Sequence, residues 1–240
     1  MPPWLIGTAA ILAGAVAAVS GFGIGSLLTP LLLLSMPANE AVAILSIPHA
    51  VATGIRWLRL RSDVHRPTFR QFGISSAIGG LMGALLQPWL GSSVLTAVLG
   101  SLLVVAGTSE VLERRVPLPQ TPASRLLGGA ASGFFGGLVG NQGGIRSAAL
   151  LGFQLKPRQL VATATASALL VDAARIPIYF LSEKGAMAAG VPLWAAASVG
   201  ATIGTFLGVP VLRWIPPRTY HRLLGVLLVL LGFALFAAAV

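Results

Sequence analysis

SGFGIGS (residues 20–26) and GNQGG (residues 140–144) are the two runs that decide the fold of this chain, because each interrupts a long apolar stretch. The stretches cover residues 5–36 and 125–155. Each is too long for one crossing of the hydrocarbon core, for which roughly 20 residues suffice. Glycine at this density weakens a helix and permits a tight turn. Each stretch is therefore predicted to form two shorter helices that fold back on a break inside the membrane.

The rest of the chain is also built from apolar segments of membrane length. Apolar residues make up 55% of the 240 positions and charged residues only 9%, whereas a soluble domain needs more polar residues on its surface. The first residues lack the basic start of a signal peptide, so the first stretch is expected to stay in the mature protein. The remaining apolar segments lie at 41–58, 69–90, 93–112, 159–181, 187–212 and 219–240. The composition predicts a polytopic membrane protein with no soluble domain.

Several classes of function are disfavoured by the composition. The net charge of +10 is accounted for by arginines in cytoplasmic loops, so nucleic acid is not an expected partner. The chain has no cysteine, and its three histidines (His49, His65 and His221) do not have metal-ligand spacing. No nucleotide-binding loop is present. We therefore expect neither a cofactor nor a metal.

The charges of the loops predict the orientation. Arginines flank the segments 57–70, 112–125 and 213–222, which places these segments in the cytoplasm. The loop at 91–93 is uncharged and the loop at 182–186 is balanced, as expected for the outer side. Both termini then lie outside, and each of the two long stretches must return to the side on which it begins. The charge rule and the interrupted-helix interpretation agree.

An internal repeat relates the two halves of the chain. At an offset of 119 residues, glycines and one arginine fall into register: Gly14, Gly21, Gly25 and Arg56 meet Gly133, Gly140, Gly144 and Arg175. Each half holds one interrupted hairpin and three crossings, an odd number, so the halves are inverted relative to each other. The predicted fold is an all-α integral membrane protein with ten helical segments in two inverted repeats, 1–115 and 125–240, joined by a cytoplasmic linker at 116–124.

The two breaks are the candidate substrate site. A short helix is predicted after each break, at about 26–36 and 145–155, and its first backbone N–H groups attract an anion because they lack intrahelical partners. Arg146 adds a charge that is costly inside a membrane unless it has a function, although snorkelling to the surface is the alternative. The predicted substrate-binding residues are Gly23, Gly25, Ser26, Asn141, Gln142, Gly143, Gly144, Arg146 and Ser147.

The alternative interpretation of the glycines in the two breaks is that they only allow close helix packing. Close packing is also our prediction for Gly79, Gly83, Gly200 and Gly204. The expected partners are a small anion and the lipid bilayer, and the oligomeric state stays open.

Three further residues form a candidate proton or ion-pair site. Asp172 and Arg175 are three residues apart and so share a helix face. They either only neutralise each other or lie beside the permeation route, with Asp172 taking a proton. His49 could carry protons, but a lone intramembrane histidine is more often a packing residue. Arg56, the repeat partner of Arg175, lies at a predicted cytoplasmic helix end, where anchoring accounts for it.

The glycine-rich runs resemble the signature of the TauE/SafE family. GFGIGSLLTP (21–30) is followed by Pro37, and GNQGGIRS (140–147) is followed by Pro157 and VATAT (161–165). The resemblance implies a sulfite exporter or a sulfonate or organosulfur permease. Such a protein carries a small sulfur-containing anion, such as sulfite, thiosulfate or a sulfonate, across a bacterial inner membrane. The direction of transport and coupling to protons stay open.

Two other functions compete with a secondary transporter that works by alternating access. An intramembrane enzyme acting on a lipid phosphate needs a nucleophile and acid–base partners. The sequence offers only Ser147 beside Arg146, and Asp172 as the one carboxylate deep in a span. An anion channel would share the site but would pass current far faster and show no counterflow. The sequence favours a transporter and no enzymatic activity.

Overall fold

The computed structural model describes residues 1–20, 24–113, 121–212 and 214–239. This part of the chain is helical and contains no strand, which confirms the predicted all-α class. The helices are α1 (Pro3–Ser20), α2 (Ile24–Leu33), α3 (Ala38–Leu60), α4 (Arg66–Thr68), α5 (Ile74–Leu86), α6 (Ser92–Val111), α7 (Pro122–Val139), α8 (Gly143–Leu151), α9 (Pro157–Ser182), α10 (Lys184–Ala189), α11 (Val191–Leu212) and α12 (Pro217–Ala239). A π-helical turn at Phe69–Gly73 joins α4 to α5, and 3₁₀ turns follow α3 and α5 at Arg61–Asp63 and Gln87–Trp89.

The surface of these helices is apolar. Large side chains such as Leu12, Val105 and Leu230 are 70%, 66% and 62% exposed, whereas Gln87 and Asp172 are fully buried. Exposed apolar side chains around a partly polar interior are expected where lipid, not water, surrounds the protein. The stretches long and apolar enough to cross a membrane are Ala38–Asp63, Ser92–Val111, Pro157–Ser182, Val191–Gly208 and Arg218–Ala237. The chain is therefore a multi-pass membrane protein.

Both long apolar stretches are interrupted where the sequence predicts. α1 ends at Ser20 and α2 begins at Ile24, and the residues between them, including the predicted site residue Gly23, lie outside the described part. α7 ends at Val139, and Gly140 then takes a φ of +72°, which glycine adopts at little cost. α8 begins three residues later, at Gly143. The second break predicted from glycine density is thus present, and the first falls between two separate helices, α1 and α2, at residues outside the described part.

The short helices are shifted towards the breaks compared with the prediction. α2 covers Ile24–Leu33 instead of 26–36, because a turn at Ser35 and Met36 ends the helix. Met36 precedes Pro37, and a residue before a proline avoids the helical conformation. α8 covers Gly143–Leu151 instead of 145–155, and the chain turns at Gln154, which has a φ of +50°, before the next helix. Both helices therefore begin directly at the break.

Glycines bring the backbones of neighbouring helices into contact. Between α5 and α7, a Cβ on Gly83 would overlap the carbonyl oxygen of Phe134. Between α1 and α11, a Cβ on Gly204 would overlap the carbonyl oxygen of Ile11, and Gly79 and Gly200 make the same kind of contact. Small residues allow such close approach where lipid supplies no hydrophobic drive for helix association. The predicted packing role of these glycines is confirmed.

The last helices of the two sequence halves cross in opposite directions. Gly107 of α6 lies against Gly225 of α12, and Gly100 lies against Gly232, so the two helices run antiparallel. α3 and α9 also run antiparallel, because His49 lies against Asp172 and Gly54 lies against Leu169.

Candidate functional site

The two helix breaks meet in the interior of the protein. The Oγ of Ser26, in the first turn of α2, donates a hydrogen bond to Oδ1 of Asn141 at 3.1 Å, and both residues are buried. Gly25 lies so close to the carbonyl oxygen of Gly140 that a Cβ would overlap it. Polar groups at the two breaks therefore bond to each other and join the two halves of the chain.

Buried side-chain donors bond to the last carbonyl groups of α7, where a helix runs out of intrahelical N–H partners. The N–H of Gly140 also bonds to the carbonyl of Gly136. The Nη1 of Arg175 donates to the carbonyl oxygen of Gly136 at 2.5 Å, and the Nε2 of Gln87 donates to that of Leu138 at 3.1 Å. The hydroxyl of Tyr179 donates to the carbonyl oxygen of Gly137. A cation at a helix C-terminus also complements the helix dipole. Arg175 is thus held at the second break.

Asp172 connects this arginine to α3. One carboxylate oxygen, Oδ1, accepts from the Nε and Nη2 of Arg175 at 3.0 and 2.8 Å. The other, Oδ2, lies 2.7 Å from the Nδ1 of His49. All three side chains are buried. The ion pair expected from sequence spacing is present, and His49 belongs to the same network and is not an isolated packing residue.

A cavity of about 210 Å³ lies between α3, α9 and the first turns of α2 and α8. α3 contributes His49, Thr53 and Arg56, which share one face because they are spaced by four and three residues. α8 contributes Arg146 and Ser147. Side chains of α9 and of the end of α8 supply most of the apolar wall. None of the described residues that form the wall is acidic.

The cavity carries positive charge. Arg146 is only 5% exposed, and the Nε of Arg56 is buried without a hydrogen-bond partner in the described parts of the chain. The two guanidinium groups repel each other, while the charge of Asp172 attracts Arg146. Repulsion between like charges is strong where water is excluded, and a bound anion relieves it. The chemistry of the wall therefore suits a small anion.

The structure divides the residues that the sequence predicts to bind substrate. Arg146 and Ser147 line the cavity, together with His49 from the candidate proton site. Asp172 and Arg175 lie behind His49 and do not line it. The residues outside the wall are Gly25, Ser26, Asn141, Gln142, Gly143 and Gly144. Three of these, Gly25, Ser26 and Asn141, take part in the contact between the breaks, and a role of the six in substrate binding stays a prediction.

Sequence reasoning missed part of the wall. Arg56 is expected from the sequence to anchor a helix end, yet it lines the cavity, as does Thr53 of α3. His221 at the start of α12 also lines the cavity, with its Nδ1 2.7 Å from Oε2 of Glu110. The spacing of His49, Thr53 and Arg56 on one helix face is the sequence signal that could have identified Arg56 and Thr53.

Apolar helices thus surround a cavity whose wall includes two arginines. The family described as sulfite exporter TauE/SafE matches residues 6–235. The chain belongs to this family of transporters, which confirms the resemblance carried by its glycine-rich runs. No curated protein and no solved structure matches the chain.

Proposed function

We propose that this protein is a secondary permease that moves a small sulfur-containing anion, such as sulfite, thiosulfate or a sulfonate, across a bacterial inner membrane, and that the cavity is its binding site. The observation that carries the proposal is the presence of two arginines, Arg56 and Arg146, in a wall without a described acidic residue. Family membership supports a sulfur anion. The cavity independently supports an anion of small size.

Arg146 is the principal binding residue in this proposal. It lies in the first turn of α8, so it approaches the cavity from the helix end that carries partial positive charge. Ser147 beside it adds a hydroxyl to the wall. A water needs only about 10–15 Å³ of such space, so a cavity of about 210 Å³ has room for a small oxyanion and several waters.

The position of the cavity supports alternating access. It lies near the end of α3, the start of α9 and the start of α12, which the charge rule places towards the cytoplasm. This arrangement corresponds to an inward-facing state with both termini outside. The antiparallel crossings of α6 with α12 and of α3 with α9 support the proposed inverted repeats at 1–115 and 125–240. Rearrangement of such repeats would open the site to the other side.

Proton coupling is part of the proposal through His49. Its ring lines the cavity, and its Nδ1 faces Asp172 at 2.7 Å. A histidine in this position can accept a proton while the carboxylate behind it stabilises the imidazolium. An anion in the cavity would then bind together with a proton.

The first test is thermal stabilisation of the purified protein in detergent by sulfite, thiosulfate, sulfate, methanesulfonate, phosphate and chloride. A ligand at 100 times its Kd stabilises the folded state by about 2.7 kcal/mol. We expect stabilisation by at least one sulfur anion and none by chloride. Arg146→Ala should abolish it, whereas Arg158→Ala should not, because Arg158 is exposed and pairs with Asp63 outside the cavity.

Two results would contradict the proposal. If the Arg146→Ala variant binds the sulfur anion as tightly as the unchanged protein, the cavity is not the site. If proteoliposomes show a flux of this anion that does not saturate and no counterflow, the protein is an anion channel and not a permease.

A further inference from the structure

Arg56 and Arg175 occupy equivalent places in the two halves of the chain but have different neighbours. The offset of 119 that pairs these arginines also pairs Thr53 with Asp172. In each half the arginine follows this partner by three residues on the same helix face. Asp172 neutralises Arg175 in the second half, whereas the equivalent position in the first half holds an uncharged residue, Thr53.

In the second half the arginine is fully engaged by the protein. Asp172 holds the Nε and Nη2 of Arg175, and the carbonyl of Gly136 accepts from its Nη1. The side chain is 2% exposed and does not line the cavity. Arg175 is therefore a structural cation that fixes the end of α7.

In the first half the corresponding arginine has no such partners. The position equivalent to Gly136 is Ala17, which lines the same cavity as Arg56. Arg56 has no ion pair with any residue that the structure describes, and its Nε is buried without a hydrogen-bond partner. Arg146 in the same wall carries a like charge, and the two guanidinium groups repel each other.

We propose that Arg56 is a second anion-binding residue of the cavity, left available because Thr53 stands where the second half has Asp172. The inference rests on the proposed function and specifies its ligand. Two guanidinium groups on different helices need an anion with several acceptor oxygens, since each group donates in a fixed planar geometry. Sulfite, sulfate and sulfonates meet this requirement, whereas a halide offers no separate oxygens to the two arginines.

The test restores the missing carboxylate. Thr53→Asp copies the second half and should occupy Arg56 with an internal ion pair, and Thr53→Asn changes the shape in the same way without the charge. Arg56→Gln removes the cation directly, and it tests the same role if the Thr53→Asp variant does not fold. Binding of sodium sulfite, sodium sulfate and sodium methanesulfonate to the full chain in detergent is measured by calorimetry, with circular dichroism to verify folding.

We expect Thr53→Asp and Arg56→Gln to weaken binding of the sulfur anion by about tenfold or more, as for loss of one charged hydrogen bond. Thr53→Asn should weaken it much less than Thr53→Asp. Arg59→Ala is the matched control on the same helix, because Arg59 is exposed and stacks on Phe206 outside the cavity.

The outcomes separate this inference from the proposed function. Unchanged binding in the folded Thr53→Asp and Arg56→Gln variants, together with loss in Arg146→Ala, would overturn the role of Arg56 and leave the permease proposal standing. Equal losses in Thr53→Asp and Thr53→Asn would also overturn it, because the added charge would then have no effect. If the unchanged protein binds neither these three anions nor sodium thiosulfate, both proposals fail.

Discussion

Replacement of Asp172 by asparagine removes one negative charge from the centre of the protein and hardly changes the shape of the side chain. Asp172 is fully buried and meets His49 at 2.7 Å and Arg175 at 2.8 and 3.0 Å. The amide cannot neutralise Arg175, whose charge stays buried because its Nη1 remains bonded to the carbonyl of Gly136. We therefore expect the Asp172→Asn variant to be markedly less stable.

The magnitude follows from the burial of the pair. Removal of one partner of a buried ion pair costs about 3–5 kcal/mol, whereas an exposed pair contributes about 0.2–1 kcal/mol. Asp63 supplies the exposed counterpart, since it lies 3.0 Å from Arg158 and the side chains are 27% and 74% exposed. Asp63→Asn makes the same chemical change at a similar distance from an arginine. It should change the free energy of unfolding by at most about 1 kcal/mol.

The assay is equilibrium unfolding of both variants in the same detergent, followed by helical circular dichroism. We expect Asp172→Asn to lose about 3 kcal/mol or more. For a domain of this size, that loss lowers the melting temperature by roughly 6 °C or more. Equal, small losses in both variants would refute the reasoning, because the buried arginine would then have to be neutralised by something other than Asp172.

Three further changes test other parts of the structure. Gly83→Ala should lose about 1–3 kcal/mol in the same unfolding assay because its Cβ would overlap the carbonyl oxygen of Phe134. Gly91→Ala is the control, because a Cβ at Gly91 meets open space, and it should change stability by no more than about 0.5 kcal/mol. Similar losses in the Gly83 and Gly91 variants would contradict the role of Gly83 in helix packing. Tyr179→Phe leaves a buried carbonyl of α7 without its donor and should cost about 1–3 kcal/mol, so an unchanged melting temperature would speak against this cap. His49→Gln should abolish stimulation of sulfur-anion flux by a pH gradient in proteoliposomes, and stimulation that survives would exclude His49 as the proton carrier.

The features predictable from sequence are those that depend on local pattern. Glycine density placed the breaks at 20–26 and 140–144, and the spacing of Asp172 and Arg175 predicted their ion pair. Both signals are contained in a few consecutive residues, so no knowledge of tertiary packing is needed to read them. The helix ends within each stretch were shifted because local turns, such as the one before Pro37, end a helix earlier than apolarity alone suggests.

The features that could not be predicted depend on which helix faces which. The contact between His49 and Asp172 joins α3 to α9, and a sequence does not state that these helices are neighbours. Ser26 and Asn141, which the sequence predicts to face a ligand, also bond to each other, and no local pattern reveals that the two residues are neighbours. The sequence places Arg56 at the membrane interface because it lies near the predicted end of a helix. Its actual depth depends on where that helix sits in the bilayer. Only the three-dimensional arrangement shows that it lines the cavity.

The glycine contacts also determine which parts of the protein can move as units. α1 is in backbone contact with α11, α5 with α7 and α6 with α12, so each close pair takes one helix from either half of the sequence. Backbones that touch without intervening side chains cannot slide or separate without losing many contacts at once. The rigid bodies of this protein are therefore composite, and its mechanical boundary does not coincide with the boundary between residues 1–115 and 125–240. A motion that exposes the cavity to the opposite side must keep these three pairs intact and displace them against one another and against the remaining helices.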